Sequence, residues 1–197
     1  MDIVSKHQVR DLHTRQDAPH TIYTIGHSTR TVAELVALLR EAQVDLLVDV
    51  RTVPRSRANP QFNADTLPAA LKAHGIAYRH PASLGGLRKP RRDQSPSPNT
   101  FWENASFRNY ADYAMTQGFR DGLAELRALA CQHTCAIMCA EAVWWRCHRR
   151  IIADYLLAAG DRVCHIMGPD KIEPATITKA ATIQPDGTLV YPANTLF

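Results

Sequence analysis

The chain has 197 residues, of which 45% are apolar, so it is long enough to bury a hydrophobic core without disulfides or metal ions. Its 23 basic and 19 acidic side chains leave a formal net charge of +4, which permits an anionic partner but does not require nucleic acid. Residues 1–20 mix charges of both signs and lack the apolar segment of a secretory signal or membrane anchor. We therefore expect a cytoplasmic protein that does not bind membranes, with a flexible N-terminal arm over residues 1–20.

The strands and helices can be predicted in chain order, beginning with residues 21–25, a β-branched run that predicts a first strand. This strand ends in the turn GHS at residues 26–28. A helix follows, because Thr31 and Glu34 have the spacing of a capping box before an apolar stripe. Residues 44–51 then predict a second, buried strand that ends in the charged motif DVR.

The middle of the chain contains a third strand and a basic loop. Residues 64–75 predict a short helix, residues 76–80 a strand, and residues 84–86 a turn with the sequence LGG. Residues 87–99, LRKPRRDQSPSPN, are rich in charge, serine and proline, which predicts a long mobile loop. This loop either closes over an anionic ligand or is a solvated insertion.

The second half of the chain continues the alternation of helices and strands. Its patterns predict a helix over residues 107–132 that breaks at Gly118, a buried strand over residues 135–140, a helix that ends at Gly160, a strand over residues 162–167, and a hairpin over residues 176–191. The alternation predicts an α/β fold, with a mainly parallel β-sheet, helices on both faces and a C-terminal β-hairpin. We expect a single domain over residues 21–197.

Four predicted strands end in polar or turn-specific motifs: GHS at residues 26–28, DVR at 49–51, LGG at 84–86 and CAE at 139–141. Because the carboxyl ends of parallel strands meet at one edge of a sheet, we expect these motifs to surround one crevice. The sequence therefore predicts a shared site at this edge.

These motifs also carry a family resemblance. Together with FN at residues 62–63, a YxH segment before LGG, and CHR after CAE, they resemble domain of unknown function family 488 (DUF 488) over roughly residues 21–167. The resemblance implies an α/β domain with a shared polar site and specifies no reaction. The functional residues it implies are His27, Asp49, Arg51, Cys139, Glu141, Cys147, His148 and Arg149. Between CAE and CHR this chain has AVWWR, where many relatives have a proline-containing turn.

His27 is the preferred general acid or base, because it follows a glycine turn at a strand end. Ser28 and Asp49 are candidate orienting partners for its ring. The predicted ligand-binding residues share a position at or near the same edge of the sheet. They are Ser28, Asp49, the glycines Gly85 and Gly86, Trp145, and the arginines Arg51, Arg55 and Arg149, whose guanidinium groups are candidate anion clamps.

Cys147 and His148 fall near the first turn of the helix that ends at Gly160, where the helix dipole stabilises a thiolate or a bound anion. We assign catalytic roles to both residues, with Glu141 orienting a water molecule or the arginines. A packing role for Cys147 and His148, and a structural ion pair for Glu141 or Asp49, remain open alternatives.

The cysteines raise two further questions, disulfide bonding and metal binding. The five cysteines include no C-x-x-C pair, so we expect reduced thiols. The side chains of His27, Cys139, Glu141, Cys147 and His148 could converge as metal ligands, but their spacing matches no standard zinc pattern. No metal site is therefore assigned, and the cofactor is left unknown.

Trp144 and Trp145 lie beside arginines, a combination that favours stacking against a base together with phosphate contacts. The alternative is that one indole covers the core and the other a partner subunit, so a homo-oligomer remains open. The leading hypothesis is a small enzyme, a hydrolase or transferase, that binds a phosphorylated nucleotide-like or nucleic-acid ligand at the strand carboxyl ends. A non-catalytic sensing domain for such a ligand, and a thiol- or metal-dependent protein, are the alternatives.

Overall fold

The computed structural model describes residues 20–90 and 95–193. Residues 1–19 of the predicted N-terminal arm and residues 91–94 of the predicted basic loop lie outside this range. Within the described residues, no helix is long and apolar enough to cross a membrane.

In the part of the chain that the structure describes, six strands form one sheet in the order β3-β2-β4-β1-β5-β6. The five strands from β1 to β5 pair in parallel, and β6 pairs antiparallel with β5. The strands are β1 (Thr21–Gly26), β2 (Leu46–Asp49), β3 (Ala77–Arg79), β4 (Cys135–Cys139), β5 (Arg162–Gly168) and β6 (Lys171–Pro174). The predicted C-terminal hairpin is present as β7 (Thr182–Ile183) and β8 (Leu189–Val190).

Within residues 20–90 and 95–193, five α-helices cover the two faces of the sheet, which confirms the predicted fold class. They are α1 (Val32–Glu41), α2 (Leu67–Lys72), α3 (Ala105–Ala114), α4 (Gln117–Ala130) and α5 (Arg149–Ala158). Successive strand residues point to opposite faces, so Ile137 packs in the core under α3, α4 and α5 while Met138 packs in the core under α1 and α2.

The start of α1 and the break between α3 and α4 show how local sequence sets helix ends. The predicted capping box is present, because Thr31 Oγ1 accepts a bond from the Glu34 backbone and the Glu34 carboxylate accepts one from the Thr31 backbone. The break predicted at Gly118 instead falls at Met115 and Thr116. The Thr116 backbone is extended there and its hydroxyl donates to the Tyr113 carbonyl at the end of α3, so Gly118 lies within α4.

The chain segments that follow the neighbouring strands β1 and β4 lead to opposite faces of the sheet, and this divergence creates the crevice. The chain leaving β1 leads to α1 on one face, whereas the chain leaving β4 leads to α5 on the other. The two loops stay close at first, because His27 N donates to the Cys139 carbonyl at 3.0 Å. A Cβ atom at Gly26 would lie 1.9 Å from the Glu141 carbonyl oxygen, so this position requires glycine.

Candidate functional site

A cavity of about 620 Å³ opens at the carboxyl ends of β1, β2 and β4. Its volume falls within the range of roughly 300–1,000 Å³ that is usual for small-molecule sites. Residues from all four predicted motifs or their flanking loops line it, including His27, Arg51, Gly86 and Glu141. The expected convergence of strand ends therefore produces a real concave site.

One wall of the cavity is formed in part by His27 and Arg51, which belong to a buried ion-pair network with Asp49 and Tyr78 behind that wall. The Arg51 guanidinium donates from Nε to Asp49 Oδ1 at 2.9 Å and from Nη2 to Asp49 Oδ2 at 2.5 Å. Tyr78 Oη donates to Asp49 Oδ2 at 2.8 Å, and Arg51 Nη2 also donates to the Phe62 carbonyl at 2.6 Å. Asp49 and Arg51 are only 0% and 7% exposed, so their charges are paired inside the protein.

His27 belongs to this network as a neutral ring. Its Nδ1 lies 2.9 Å from the Ser28 carbonyl oxygen, which can only accept, so Nδ1 carries the proton. The unprotonated Nε2 then accepts from Arg51 Nη1 at 3.2 Å, and the ring stacks on Phe62. Burial lowers the pKa of His27 below its ordinary value, and the Arg51 charge adds to that effect. Both ring nitrogens are therefore occupied, and the proposed acid or base role of His27 stays a prediction.

A second group of side chains, the cysteine–histidine cluster of Cys139, Cys147 and His148, also lines the cavity. The three Sγ and ring nitrogen atoms lie within 4.8 Å of one another. Cys147 Sγ is 3.5 Å from His148 Nδ1, and it accepts from Arg149 N at 3.5 Å and from Arg149 Nε at 3.4 Å. His27 and Glu141, which were candidate members of such a group, lie outside it.

The two thiols of this cluster differ in acidity. Burial alone would raise the pKa of Cys147, but a hydrogen bond from Cys139 and the adjacent Arg149 charge outweigh it and lower the pKa to about 6. The same hydrogen bond, together with burial, raises the pKa of Cys139 to about 12. Cys147 is therefore the thiolate of the pair near neutral pH, although its residue is only 3% exposed.

The LGG turn sets the position of the His148 ring. A Cβ atom at Gly86 would lie 2.5 Å from His148 Nδ1, and one at Gly85 would lie 2.8 Å from Thr52 Oγ1. The His148 ring cannot easily give way, because its Nε2 bonds to the Val50 carbonyl oxygen at 2.8 Å. The two glycines thus act through packing, since they let the loop approach the end of β2 and the histidine closely.

The free charges of the site belong to the loop between β4 and α5 and to the loop after β2. Within residues 20–90 and 95–193, the Arg146 guanidinium and the Glu141 carboxylate have no hydrogen-bond or ion-pair partner, and both line the cavity. Arg55 lines it too, and its pair with Asp65 is long, at 3.6 Å, and solvent-exposed. These groups remain available to a ligand.

The predicted site residues divide by their distance from the cavity. Those that line it are His27, Ser28, Arg51, Arg55, Gly86, Glu141, Cys147 and His148. The other four do not line it, namely Asp49, Gly85, Trp145 and Arg149. Arg149 is buried beneath the site, where Nη2 donates to the Glu141 carbonyl at 2.7 Å, so its guanidinium holds the loop and the Cys147 thiolate.

Several residues that line the cavity were not among the site residues assigned from the sequence. They are Thr52, Ser56, Asn59, Phe107, Cys139 and Arg146. Arg146 carried a signal, since it lies between CAE and CHR in the same turn as Trp145. Phe107 carried none, because it enters the cavity from α3 and stacks on Trp102 at 5.0 Å.

The two tryptophans of this turn face different surroundings. Trp144 stacks on the buried His165 ring with a centroid separation of 4.3 Å, so it covers the core. Trp145 is 45% exposed and lies edge-on to Trp144. Neither indole lines the cavity, whereas the Phe107 ring does, so base stacking on Trp145 stays a prediction.

Comparison with known proteins identifies the family and nothing finer. A model of the family described as Domain of unknown function DUF488 matches residues 31–156, more than half of the chain. The match contains the DVR, LGG, CAE and CHR motifs, whereas the GHS turn at residues 26–28 precedes it. None of the curated proteins and none of the solved structures matches the chain. The predicted family is thus confirmed, and the chain belongs to the DUF488 family.

Proposed function

We propose that the protein is an enzyme that acts on a small phosphorylated, nucleotide-like ligand bound in the cavity. The observation that carries this proposal is the combination of two arginines on the cavity wall with the cysteine–histidine cluster that also lines it. Arg146 has no side-chain partner among the described residues, and Arg55 has only a long, exposed ion pair. The arginines supply binding, and the cluster supplies reactive groups. The reaction class we favour is hydrolysis or group transfer.

The binding half of the proposal rests on Arg146 and Arg55. Among the described residues, the Arg146 guanidinium has no partner and that of Arg55 has only a long, exposed ion pair, so each loses little when it exchanges water for phosphate. The planar fork of a guanidinium group also matches phosphate oxygens. Arg51 and Arg149 differ, because their donors are held by Asp49, Phe62, Cys147 and Glu141. We therefore assign the role of anion clamp to the exposed Arg146 and Arg55 and not to the buried Arg51 and Arg149. Phe107 supports a base or another flat ring beside the phosphate.

The catalytic half of the proposal rests on Cys147 and His148. A thiol whose pKa falls to about 6 inside a cavity is typical of functional sites rather than of packed cores. A second candidate function follows from the same contact: an enzyme that uses the Cys147 thiolate as a nucleophile, with His148 Nδ1 as its base. Rapid alkylation of Cys147, blocked by a bound phosphorylated ligand, would support that version.

Isothermal titration calorimetry with a nucleoside monophosphate, the matching nucleoside and inorganic phosphate tests the binding half. We expect the monophosphate to bind at least about tenfold more tightly than the nucleoside, which corresponds to about 1.4 kcal/mol. Arg146→Gln should lower its affinity about tenfold, and Arg40→Gln on the exposed side of α1 is the matched control. Equal binding of nucleoside and monophosphate would contradict the proposal.

Turnover separates an enzyme from a sensor. Each ligand that binds is incubated with the wild-type protein and, separately, with Cys147→Ala, and the products are analysed by mass spectrometry. Product formation that Cys147→Ala abolishes supports the enzyme. Binding that survives without any product in the wild type would favour the non-catalytic sensing domain.

A further inference from the structure

The cysteine–histidine cluster has the composition of a metal site as well as that of a nucleophile and base. Two thiols and an imidazole nitrogen converge within 4.8 Å, and all three side chains line the cavity. Thiolate sulfur and neutral imidazole are ligands that Zn²⁺ prefers, and three protein ligands beside an open position are typical of catalytic zinc.

His148 already has the tautomer that a metal ligand needs. Its Nε2 lies 2.8 Å from the Val50 carbonyl oxygen, so Nε2 carries the proton and the Nδ1 lone pair points toward the sulfurs. A ligating histidine usually donates its second N–H to a carbonyl or carboxylate in this way. Gly86 adds a packing restraint, because there is room for the ring only when residue 86 has no Cβ.

The surroundings of Cys147 also suit a metal-bound thiolate. Its sulfur accepts two N–H bonds from Arg149, which reduce the charge that a bound cation must neutralise. With the His148 proton on Nε2, the two sulfurs and Nδ1 share at most two thiol protons. One soft divalent cation can displace any proton that the two sulfurs carry, and with the two thiolates it forms a neutral unit.

We propose that Cys139, Cys147 and His148 bind one Zn²⁺ ion, with the fourth coordination position open to the cavity. This inference rests on the proposed function and deepens it, because it assigns the reaction class to hydrolysis. When bound, the ion supplies an activated water molecule at neutral pH. The Glu141 carboxylate lines the same cavity and is the group that would accept the proton released by such a water.

Metal titration of the reduced, metal-free full chain tests the inference. Zn²⁺ affinity is measured by competition with a chromogenic chelator, stoichiometry by native mass spectrometry, and geometry from the absorption of the Co²⁺ form. We expect one ion per chain and a cobalt spectrum with thiolate charge-transfer bands and intense, tetrahedral visible bands. The wild-type spectrum needs no variant, so misfolding of a variant cannot decide the result.

Variants then locate the ligands. Zn²⁺ binding should weaken by at least about 100-fold in each of the variants Cys139→Ala, Cys147→Ala and His148→Ala. Loss of a residue that only hydrogen-bonds to a ligand would have a smaller effect. Cys164→Ala is the matched thiol control, and Cys131→Ala tests the other thiol–imidazole contact, 3.3 Å from His20. Both controls should retain wild-type affinity. A wild type without a tetrahedral cobalt spectrum, or Zn²⁺ affinity that survives in Cys147→Ala, would overturn the inference.

The metal inference and the proposed function can fail separately. Arg146→Gln should weaken phosphate binding and leave Zn²⁺ affinity unchanged. Phosphate binding without any Zn²⁺ binding would overturn the metal site and leave Cys147 as the nucleophile. Zn²⁺ binding without a phosphorylated ligand would instead overturn the proposed substrate class.

Discussion

The buried ion-pair network and the cysteine–histidine cluster lie at the same edge of the sheet, but they differ in how fully their polar groups are paired. In the network, each charged oxygen of Asp49 accepts a hydrogen bond, and both nitrogens of His27 have partners. In the cluster, two sulfur atoms and His148 Nδ1 converge, and the thiols supply fewer protons than these three acceptor atoms could bind. Polar groups whose hydrogen bonds are all made stabilise the fold, whereas groups that lack partners are available for catalysis or ligand binding.

The largest effect should come from breaking the network. Arg51→Met leaves the Asp49 carboxylate buried without its counter-ion, and we expect a loss of about 3–5 kcal/mol in the free energy of unfolding. Denaturant unfolding measures it, with Arg55→Met as the control, because that exposed ion pair should contribute no more than about 1 kcal/mol. Equal losses in the two variants would mean that the network has no special structural role.

Acid should weaken the scaffold through its neutral histidines. Burial lowers the pKa of His27 below its ordinary 6.5, and burial with the Arg149 charge lowers that of His165 to about 4. Both rings are neutral in the folded protein at pH 7, so their contribution is present above pH 6.5 and is lost as the pH falls toward about 4. For His165 this loss amounts to about 3 kcal/mol.

Urea unfolding at several pH values checks this prediction. His27→Gln and His165→Gln should each flatten the decline in stability below neutral pH, even though each is less stable than the wild type at pH 7. A decline as steep in both variants as in the wild type would show that other groups cause it.

Gly86→Ala should act mainly on the cluster. Its Cβ would meet the His148 ring at 2.5 Å, while the Val50 carbonyl holds that ring in place. We expect a loss of about 1–3 kcal/mol from overpacking, with a fall in Zn²⁺ affinity in the same variant. Gly168→Ala is the matched control, because no atom lies within 4 Å of its added Cβ. An unchanged Zn²⁺ affinity would show that Gly86 does not control the geometry of the cluster.

The smallest effect is expected from Trp145→Ala. The indole is exposed and lies outside both groups and outside the cavity lining, so stability should change by no more than about 0.5 kcal/mol. Affinity for a nucleoside monophosphate should stay within about twofold of wild type, whereas Phe107→Ala should lower it by at least about threefold. A larger loss of nucleotide affinity in Trp145→Ala than in Phe107→Ala would instead support the stacking role predicted for Trp145.

The sequence by itself determined most of the strands and helices and the edge of the sheet at which the site forms. The capping box of Thr31 and Glu34, the β-branched and apolar runs of the strands, and their strict alternation with helices are local signals. The strand β6 and the break at Thr116 were missed, because β6 is short and mostly exposed and the break depends on one backbone conformation.

Only the tertiary structure decided which polar side chains at that edge pair with one another. Arg51 and Arg149 resemble Arg146 in sequence, yet Asp49 and Cys147 pair with the first two, whereas the Arg146 guanidinium has no partner among the described residues. The carbonyl of Val50, which directly follows β2 and lies 98 residues earlier in the chain, sets the tautomer of His148. Hydrogen-bond partners that come from distant strands depend on sheet order and register, and short sequence motifs do not encode these.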